Sequence, residues 1–233
     1  PLHPVPPPTL PEEWREWSRQ PLDAFILQTL VSRGLSPSAE TDRLTLLRRV
    51  HLDLVGLPPA PERVEAFLRD ERPDAYEREV EYLLASPRYG ERWARHWLDV
   101  VHYADTHGFD KDKPRPNAWP YRDWVIRALN EDWPWKQFVS AQVAGDVLFE
   151  SDASPTLATG MLAAGPWDFV GHVELREGTV DKKKTRNRDR DDMVTTVLRS
   201  FHTLTVQCAR SHNPKFDPVP QADSYNHQSS LAG

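Results

Sequence analysis

Apolar residues recur along most of the chain at intervals of three and four, the spacing that places side chains on one face of an α-helix. Alternation of apolar and polar residues, which would indicate a strand, never extends beyond four residues. This pattern predicts a mainly α fold, an irregular multi-helix domain with long loops that contain proline and glycine. Helices are expected in the segments that begin at Pro21, Ser38, Ala60, Pro73, Ser86, Tyr121, Pro134, Pro155 and Asp189.

Proline sets the limits of these helices. The chain has 22 prolines and only 10 glycines among its 233 residues, whereas proline averages about 5% of residues in proteins. Proline is tolerated in the first turn of a helix and disrupts its interior, so we predict short helices joined by stiff loops. Residues 1–10 are predicted to be a proline-rich extended segment, and residues 11–233 a single α-helical domain.

The pattern weakens before the last long helix. Residues 165–187 show no helical period and are predicted to form a long loop. The basic run at residues 182–188 is flanked by aspartates, which favours a solvated, self-neutralised loop over an anion-binding site. The following helix is predicted to extend from Asp189 to His212, with Asp189 or Asp191 as its N-cap.

The charge balance argues against one class of partner. The net charge is -6 at pH 7 and the isoelectric point is about 5.9, whereas a nucleic-acid partner favours a basic face. No apolar run reaches the ~18 residues of a membrane span, so none is predicted. One cysteine excludes an internal disulfide and reveals no compartment. Because the first residue is not methionine, we expect a mature or excised fragment.

The single cysteine, Cys208, lies four residues before His212. The attachment motif of haem c, C-x-x-C-H, places two thiols and an iron ligand in one helical turn. Here Ser211 stands at the position of the second thiol. A lone cysteine at the end of an apolar stripe is more often a small buried hydrophobic residue. From these residues alone, a haem turn and a coincidence both stay open.

Two polar clusters are candidates for acid–base chemistry. In the predicted helix from Ser86 to Asp105, His102 and Asp105 would share one face, with the carboxylate orienting the imidazole. The loop that follows Gly165 adds His172 and Glu174. Carboxylate and imidazole groups in this pattern could also bind a divalent metal. The alternative is a helix with a solvated polar face and an ordered surface loop.

Several long segments, in order, resemble the planctomycete cytochrome-associated domain, a family of uncharacterised exported bacterial proteins. The resemblance covers roughly residues 20–225, and four segments carry it: LTLLRRVHLDLVGLPPAPERVEAFL, LLASPRYGERWARHWLDVVHYADTHGFDKDKPRPNAWPYRDWVIRALN, GPWDFVGHVELREGTVDKK and LTVQCAR. In that family the C-terminal pattern is Cys-Ala-Arg-Cys-His.

The resemblance implies a cofactor, a location and partners. By position, Cys208 corresponds to the first thioether cysteine and His212 to the proximal ligand of haem iron, while Ser211 replaces the second cysteine. The implied cofactor is haem c, and the implied function is electron transfer in the periplasm or elsewhere outside the cytoplasm. The implied partners are a redox protein or a downstream domain of a longer chain.

The sequence leaves three functions open. The first is a divergent c-type cytochrome-like domain with haem held by Cys208 and His212. The second is a cofactor-free scaffold or interaction domain. The third is a hydrolase-like domain acting on polysaccharide-derived substrates, with His102, Asp105, His172 and Glu174 as candidate catalytic residues. Whether the protein is an enzyme is left undecided by the sequence.

Overall fold

The structure is a computed structural model that describes residues 5–15, 17–149 and 153–231, except for the side chains of Glu13 and Ala153. Within these ranges it is helical and contains no strand, only one isolated antiparallel bridge between Thr106 and Pro114. The predicted mainly α fold class is confirmed. The α-helices are α1 (Pro21–Ser32), α2 (Arg43–Leu54), α3 (Pro61–Arg69), α4 (Ala75–Leu84), α5 (Pro87–Val100), α6 (Trp119–Asn130), α7 (Trp135–Leu148), α8 (Ala153–Ala158), α9 (Val180–His202) and α10 (Gln221–Ser230).

The chain divides into two compact units, Pro1–Leu46 and Leu47–Gly233. The first unit contains α1, whose Ala24 and Leu27 are buried. The prediction of a single domain from residue 11 onward stays a prediction. The predicted extended N-terminal segment begins at residues that lie outside the described part, and residues 5–10 have no regular secondary structure.

The main core of the second unit is aromatic. Trp124 of α6 is 1% exposed and stacks on Phe138 of α7, with ring centroids 5.3 Å apart. Trp133 meets the same indole edge-on at 5.4 Å. Buried Gln142 accepts hydrogen bonds from the Tyr121 hydroxyl at 2.7 Å and from the Trp97 indole N–H at 2.8 Å. Helices α5 to α8 therefore pack around aromatic rings, and the polar atoms of Tyr121 and Trp97 are paired with Gln142.

A second, polar feature joins α2, α3 and α4. The carboxylate of Glu79 is buried between His51, whose Nε2 lies 2.8 Å from Oε1, and Arg63, whose guanidinium donates at 3.1 and 2.6 Å. A charge taken out of water is tolerated only when it is paired and hydrogen-bonded, and Glu79 meets that condition.

Helix α5 ends earlier than the pattern predicts. It stops at Val100, and His102 takes a left-handed conformation with φ of 58°. The backbone N–H of Tyr103 then donates to the carbonyl of Leu98 at 2.9 Å, the bond that closes a Schellman motif. The prediction that His102 and Asp105 share one helix face is therefore wrong, because the backbone turns away between them.

The predicted loop at residues 165–187 is partly helical. A π-helical turn covers Val170–Glu174, and α9 begins at Val180, where the Thr179 hydroxyl accepts a hydrogen bond from the N–H of Lys182. The basic run therefore lies in a helix and not in a solvated loop. Lys182 is buried, and its ammonium group donates to the carbonyl of His172. Burial of this long apolar stem explains why a charged sequence forms a packed helix.

The same helix ends ten residues before the predicted position. It stops at His202, because Thr203 is left-handed with φ of 56° and its N–H donates to the carbonyl of Arg199 at 3.2 Å. Cys208 instead lies in a separate 3₁₀ turn, Gln207–Arg210. The prediction of one helix from Asp189 to His212 is wrong at both ends. Among the described residues, none of the helices has the length and apolarity needed to cross a membrane.

Candidate functional site

A concave surface beside His107 is a cleft made of two adjoining cavities. Their volumes are about 340 and 300 Å³, and they share His107, Arg115 and Ala163. We call this surface the His107 cleft. Its remaining polar lining comes from the segment before α6, the segment after α8 and the face of α9: Tyr103, Asn117, Tyr121, Trp167, Asp189, Asp192 and Thr196.

Backbone hydrogen bonds hold His107 at the centre of the cleft. Its N–H donates to the carbonyl of Lys113 at 2.9 Å, beside the Thr106–Pro114 bridge. Its own carbonyl accepts from the N–H of Trp167 at 2.8 Å. Two segments far apart in sequence are thus joined through one histidine.

The His107 ring has aromatic neighbours and one uncommitted nitrogen. The Trp167 ring meets it edge-on at 4.9 Å, and Phe169 stacks on it at 6.1 Å. Its Nδ1 is buried, and the described residues offer it no hydrogen-bond partner. Buried polar atoms in folded proteins are almost always hydrogen-bonded, so this atom is exceptional. This unpaired atom belongs to a side chain that lines the cleft.

A histidine–carboxylate pair lies behind Trp167. The imidazole of His172 stacks on the Trp167 ring at 4.9 Å and 11°, and its Nε2 contacts Oδ2 of Asp189, a pair that is ionic when the imidazole is protonated. The two side chains are only 16% and 19% exposed. Burial raises the pKa of Asp189, and the neighbouring imidazole opposes that rise.

The π-helical turn positions His172 against α9. The carboxylate of Asp168 accepts a hydrogen bond from the N–H of Gly171 at 2.8 Å, which fixes the start of the turn. A Cβ at position 171 would lie 2.6 Å from the side chain of Thr185. Glycine therefore permits the close approach of the turn to α9 that places His172 against Asp189.

A second carboxylate on α9 faces the cleft. Asp192 lies three residues after Asp189, so both side chains project from one face of the helix. Burial of the group raises the pKa of Asp192, and the charges of Asp191 and Asp189 raise it further. The cleft thus holds two carboxyl groups in different environments, one ion-paired with an imidazole and the other beside like charges.

A fixed cation completes the cleft. The Arg115 guanidinium donates to the carbonyls of Ala164 and Gly165 at 2.9 and 3.0 Å, and also to that of Ala163. Burial lowers the pKa of Arg115. On the same wall, the Tyr103 hydroxyl donates to Asp105 at 2.6 Å, and burial together with this carboxylate raises the pKa of Tyr103 to about 12. Both groups are held as hydrogen-bond donors at neutral pH.

The four residues predicted from the sequence to be catalytic have different partners in the structure. His172 lies next to the cleft wall, paired with Asp189. Glu174 forms an ion pair with Lys111. His102 is exposed beyond the end of α5, and the carboxylate of Asp105 is bonded to Tyr103. Among the described residues, no group of three or more histidine, cysteine, aspartate or glutamate side chains is arranged to hold a metal ion.

The Cys208 turn lies elsewhere on the same unit. Cys208 and His212 are both exposed, and the N–H of His212 donates to the carbonyl of Cys208 at 3.1 Å. Nδ1 of His212 lies 3.0 Å from the carbonyl oxygen of Asn213. Cys208 is therefore not the buried hydrophobic residue of the alternative interpretation. Neither side chain lines the His107 cleft.

Sequence reasoning missed most of the cleft. His107 stands in a polar, proline-rich segment, where its three-dimensional partners have no sequence signal. The sequence predicts Asp189 or Asp191 as a helix cap, whereas α9 begins at Val180 and contains both residues. Arg115 and Asp192 form no motif with either residue. The available signal was the density of polar and aromatic side chains in the two segments that the fold joins.

Comparison with known proteins gives one match. A model of the family PSCyt2, described as a protein of unknown function (DUF1549), matches residues 21–233. Curated proteins and solved structures gave no match.

Proposed function

The chain belongs to the PSCyt2 family of proteins of unknown function, and we propose that its second unit is a hydrolase-like domain with a general acid–base site in the His107 cleft. The observation that carries this proposal is the imidazole of His107, whose buried Nδ1 is uncommitted in a cavity that Asp189 and Asp192 also line. Acid–base catalysis needs such groups within hydrogen-bond reach of one substrate.

In this proposal His107 orients the substrate by a hydrogen bond, and the two carboxyl groups have different roles. Asp189, paired with His172, accepts a proton from the attacking water molecule. Asp192, whose pKa is raised by burial and by two neighbouring carboxylates, donates a proton to the leaving oxygen. Arg115 stabilises negative charge that develops on the substrate, because its position is fixed by three carbonyls.

The lining of the cleft favours a neutral substrate rich in hydroxyl groups. Carboxylates, an imidazole and a guanidinium can pair with hydroxyls, while the ring of Trp167 supplies an apolar surface. A cavity of about 340 Å³ suits a small ligand or the end of a longer one. We therefore propose a polysaccharide-derived substrate.

A panel of p-nitrophenyl glycosides and esters tests this proposal. We expect the wild-type protein to hydrolyse at least one member, and Asp189→Asn to lower kcat/KM about 100-fold, the lower end of a typical acid–base contribution. Asp181→Asn is the matched control, because Asp181 is an exposed aspartate of the same helix outside the cleft. A wild-type protein inert toward the whole panel contradicts the proposal.

The Cys208 turn supports a second candidate function. We propose that it holds haem c through one thioether at Cys208, with Nε2 of His212 as iron ligand, as the cytochrome-associated resemblance implies. Two observations support this: both side chains are exposed on one turn, and Nδ1 of His212 lies near a backbone carbonyl, the usual second partner of a metal-binding imidazole. Bound haem would supply one-electron chemistry, and its covalent form implies an extracytoplasmic location.

Haem staining of a denaturing gel tests the second candidate. After co-expression with cytochrome maturation factors, the wild-type band should stain, Ser211→Cys should increase the stain, and Cys208→Ser should abolish it. A wild-type band without stain, together with a Ser211→Cys band without stain, rules out covalent haem at this turn.

A further inference from the structure

A third cavity lies against α9 and is strongly cationic. Its volume is about 610 Å³, and its lining contains four basic side chains and no carboxylate. We call it the basic cavity. It is built from α9, the Cys208 turn and α10, with the lining residues Lys184, Asn187, Arg188, Arg190, Arg210, Tyr225, Gln228 and Ser229.

Two of the four cations that line the basic cavity are only loosely paired. Lys184 is 3.6 Å from Asp181, and Arg188 is 3.7 Å from Asp168, distances too long for direct hydrogen bonds. Such exposed, loosely paired charges interact weakly in water. An incoming oxyanion can therefore take both cations without breaking a strong contact.

The buried carboxylate of Asp191 holds two side chains of the cavity lining in place. Asp191 accepts hydrogen bonds from Arg210 at 3.2 Å and from Gln228 at 3.0 Å. Its side chain is 7% exposed, so it stands behind these donors and away from the solvent. The carbonyl of Arg210 also accepts from the Tyr225 hydroxyl at 3.1 Å, which ties the Cys208 turn to α10. These donors are held in place before any ligand arrives.

From this arrangement, we propose that the basic cavity binds a small polyanion that carries two or more sulfate or phosphate groups. Guanidinium groups pair with tetrahedral oxyanions through two parallel hydrogen bonds, and three arginines line this cavity. The protein as a whole is acidic, with a net charge of -6. A cationic cavity on such a chain concentrates an anion locally that the molecule as a whole repels.

The basic cavity is independent of the His107 cleft. The two share no lining residue, because Lys184, Arg188 and Arg190 point to one side of α9 while Asp189 and Asp192 point to the other. The anion proposal therefore does not rest on the proposed hydrolase function, and failure of either leaves the other unaffected.

Isothermal titration calorimetry with inorganic pyrophosphate at low ionic strength tests this proposal. Lys184→Glu should weaken binding at least about tenfold, since it removes one cationic contact and adds a repulsive charge. Lys183→Glu is the matched control, because the neighbouring exposed lysine makes the same charge change outside the cavity. If both variants weaken pyrophosphate binding equally, the effect is one of overall charge, and the proposed site in the basic cavity is wrong.

A second pair of variants makes the test independent of the Lys184 substitution. Arg188 and Arg186 have the same side-chain exposure of 49%, but only Arg188 lines the cavity. Arg188→Gln should weaken pyrophosphate binding several-fold, and Arg186→Gln should leave it within about twofold. A sulfated disaccharide is titrated in parallel. Binding of either probe supports the site, and the probe that binds more tightly shows whether the cavity prefers phosphate or sulfate groups. No heat with either probe overturns the proposal.

Discussion

Two buried carboxylates in the second unit differ in how their charge is compensated. Glu79 is bonded on both oxygens, by His51 and by Arg63, and lines neither the His107 cleft nor the basic cavity. Asp189 has one imidazole partner and lines a cavity, and burial raises its pKa. Complete pairing is what a structural carboxylate requires, whereas an incompletely paired one in a cleft is typical of a functional site.

The structural role of Glu79 gives a stability prediction. Glu79→Ala leaves His51 and Arg63 without their shared partner, so the free energy of unfolding should fall by about 3 kcal/mol, as for broken buried ion pairs. Urea unfolding followed by circular dichroism measures it. Glu77→Ala, at an exposed position of α4, should change it by less than about 0.5 kcal/mol. Equal effects of the two variants would contradict the structural role.

The raised pKa of Asp192 gives a prediction with a pH dependence. A carboxyl whose folded-state pKa lies above its unfolded value favours folding when protonated, and this contribution is lost as the pH rises through the folded pKa. Asp192→Asn should therefore stabilise the protein at pH 7, by less than about 1 kcal/mol because the side chain is partly solvated. Melting temperatures at pH 7 and pH 4 measure it. The difference should shrink at pH 4, and a larger gain there would contradict the sign.

At the scale of elements, close packing of α5 and α6 depends on one glycine. A Cβ at Gly90 would lie 2.4 Å from the carbonyl oxygen of Ile126, and the N–H of Gly90 donates to Asn130 at 2.7 Å. The apolar spacing predicts both helices, but the sequence does not reveal that they touch at this glycine. This contact joins Gly90 to residues 36 and 40 positions later in the chain. The local spacing of apolar residues gives no information about contacts over that distance.

Gly90→Ala tests this contact. The added methyl group has to push α6 away or bend α5, and overpacking of this kind costs about 1–3 kcal/mol. Thermal unfolding measures the loss. Gly165→Ala is the control, because its Cβ would meet no atom within 4 Å. If Gly90→Ala unfolds at the wild-type temperature, the two helices do not pack as closely as described.

Local pattern also explains which element boundaries could be predicted. Prolines at the start of α1, α3 and α5 were visible as helix-start signals, and those helices begin at Pro21, Pro61 and Pro87. The left-handed residues that end α5 and α9, His102 and Thr203, are not glycines. The ends of these two helices therefore have no glycine signal in the sequence. The apolar spacing predicts both helices to be longer than they are.

At the scale of the whole molecule, α9 is the element on which the acid–base and the anion-binding proposals depend. One side presents Asp189 and Asp192 to the His107 cleft, and the other presents Lys184 and Arg188 to the basic cavity. In the sequence these charges form a mixed acidic and basic run, which predicts a self-neutralised loop. Only a helix starting at Val180 sorts them onto two faces, which is why the sequence predicted the helical fold class but not the site.

Hydrolysis by the haem-free protein tests the central claim most directly. The protein is expressed without cytochrome maturation factors, shown to be free of haem by its visible spectrum, and assayed against the p-nitrophenyl panel. We predict turnover by the wild-type protein, a loss of about 100-fold in His107→Gln, and wild-type turnover in His96→Gln, whose imidazole is exposed outside the cleft. An inert haem-free protein, or equal losses in the two histidine variants, would contradict an acid–base site in the His107 cleft.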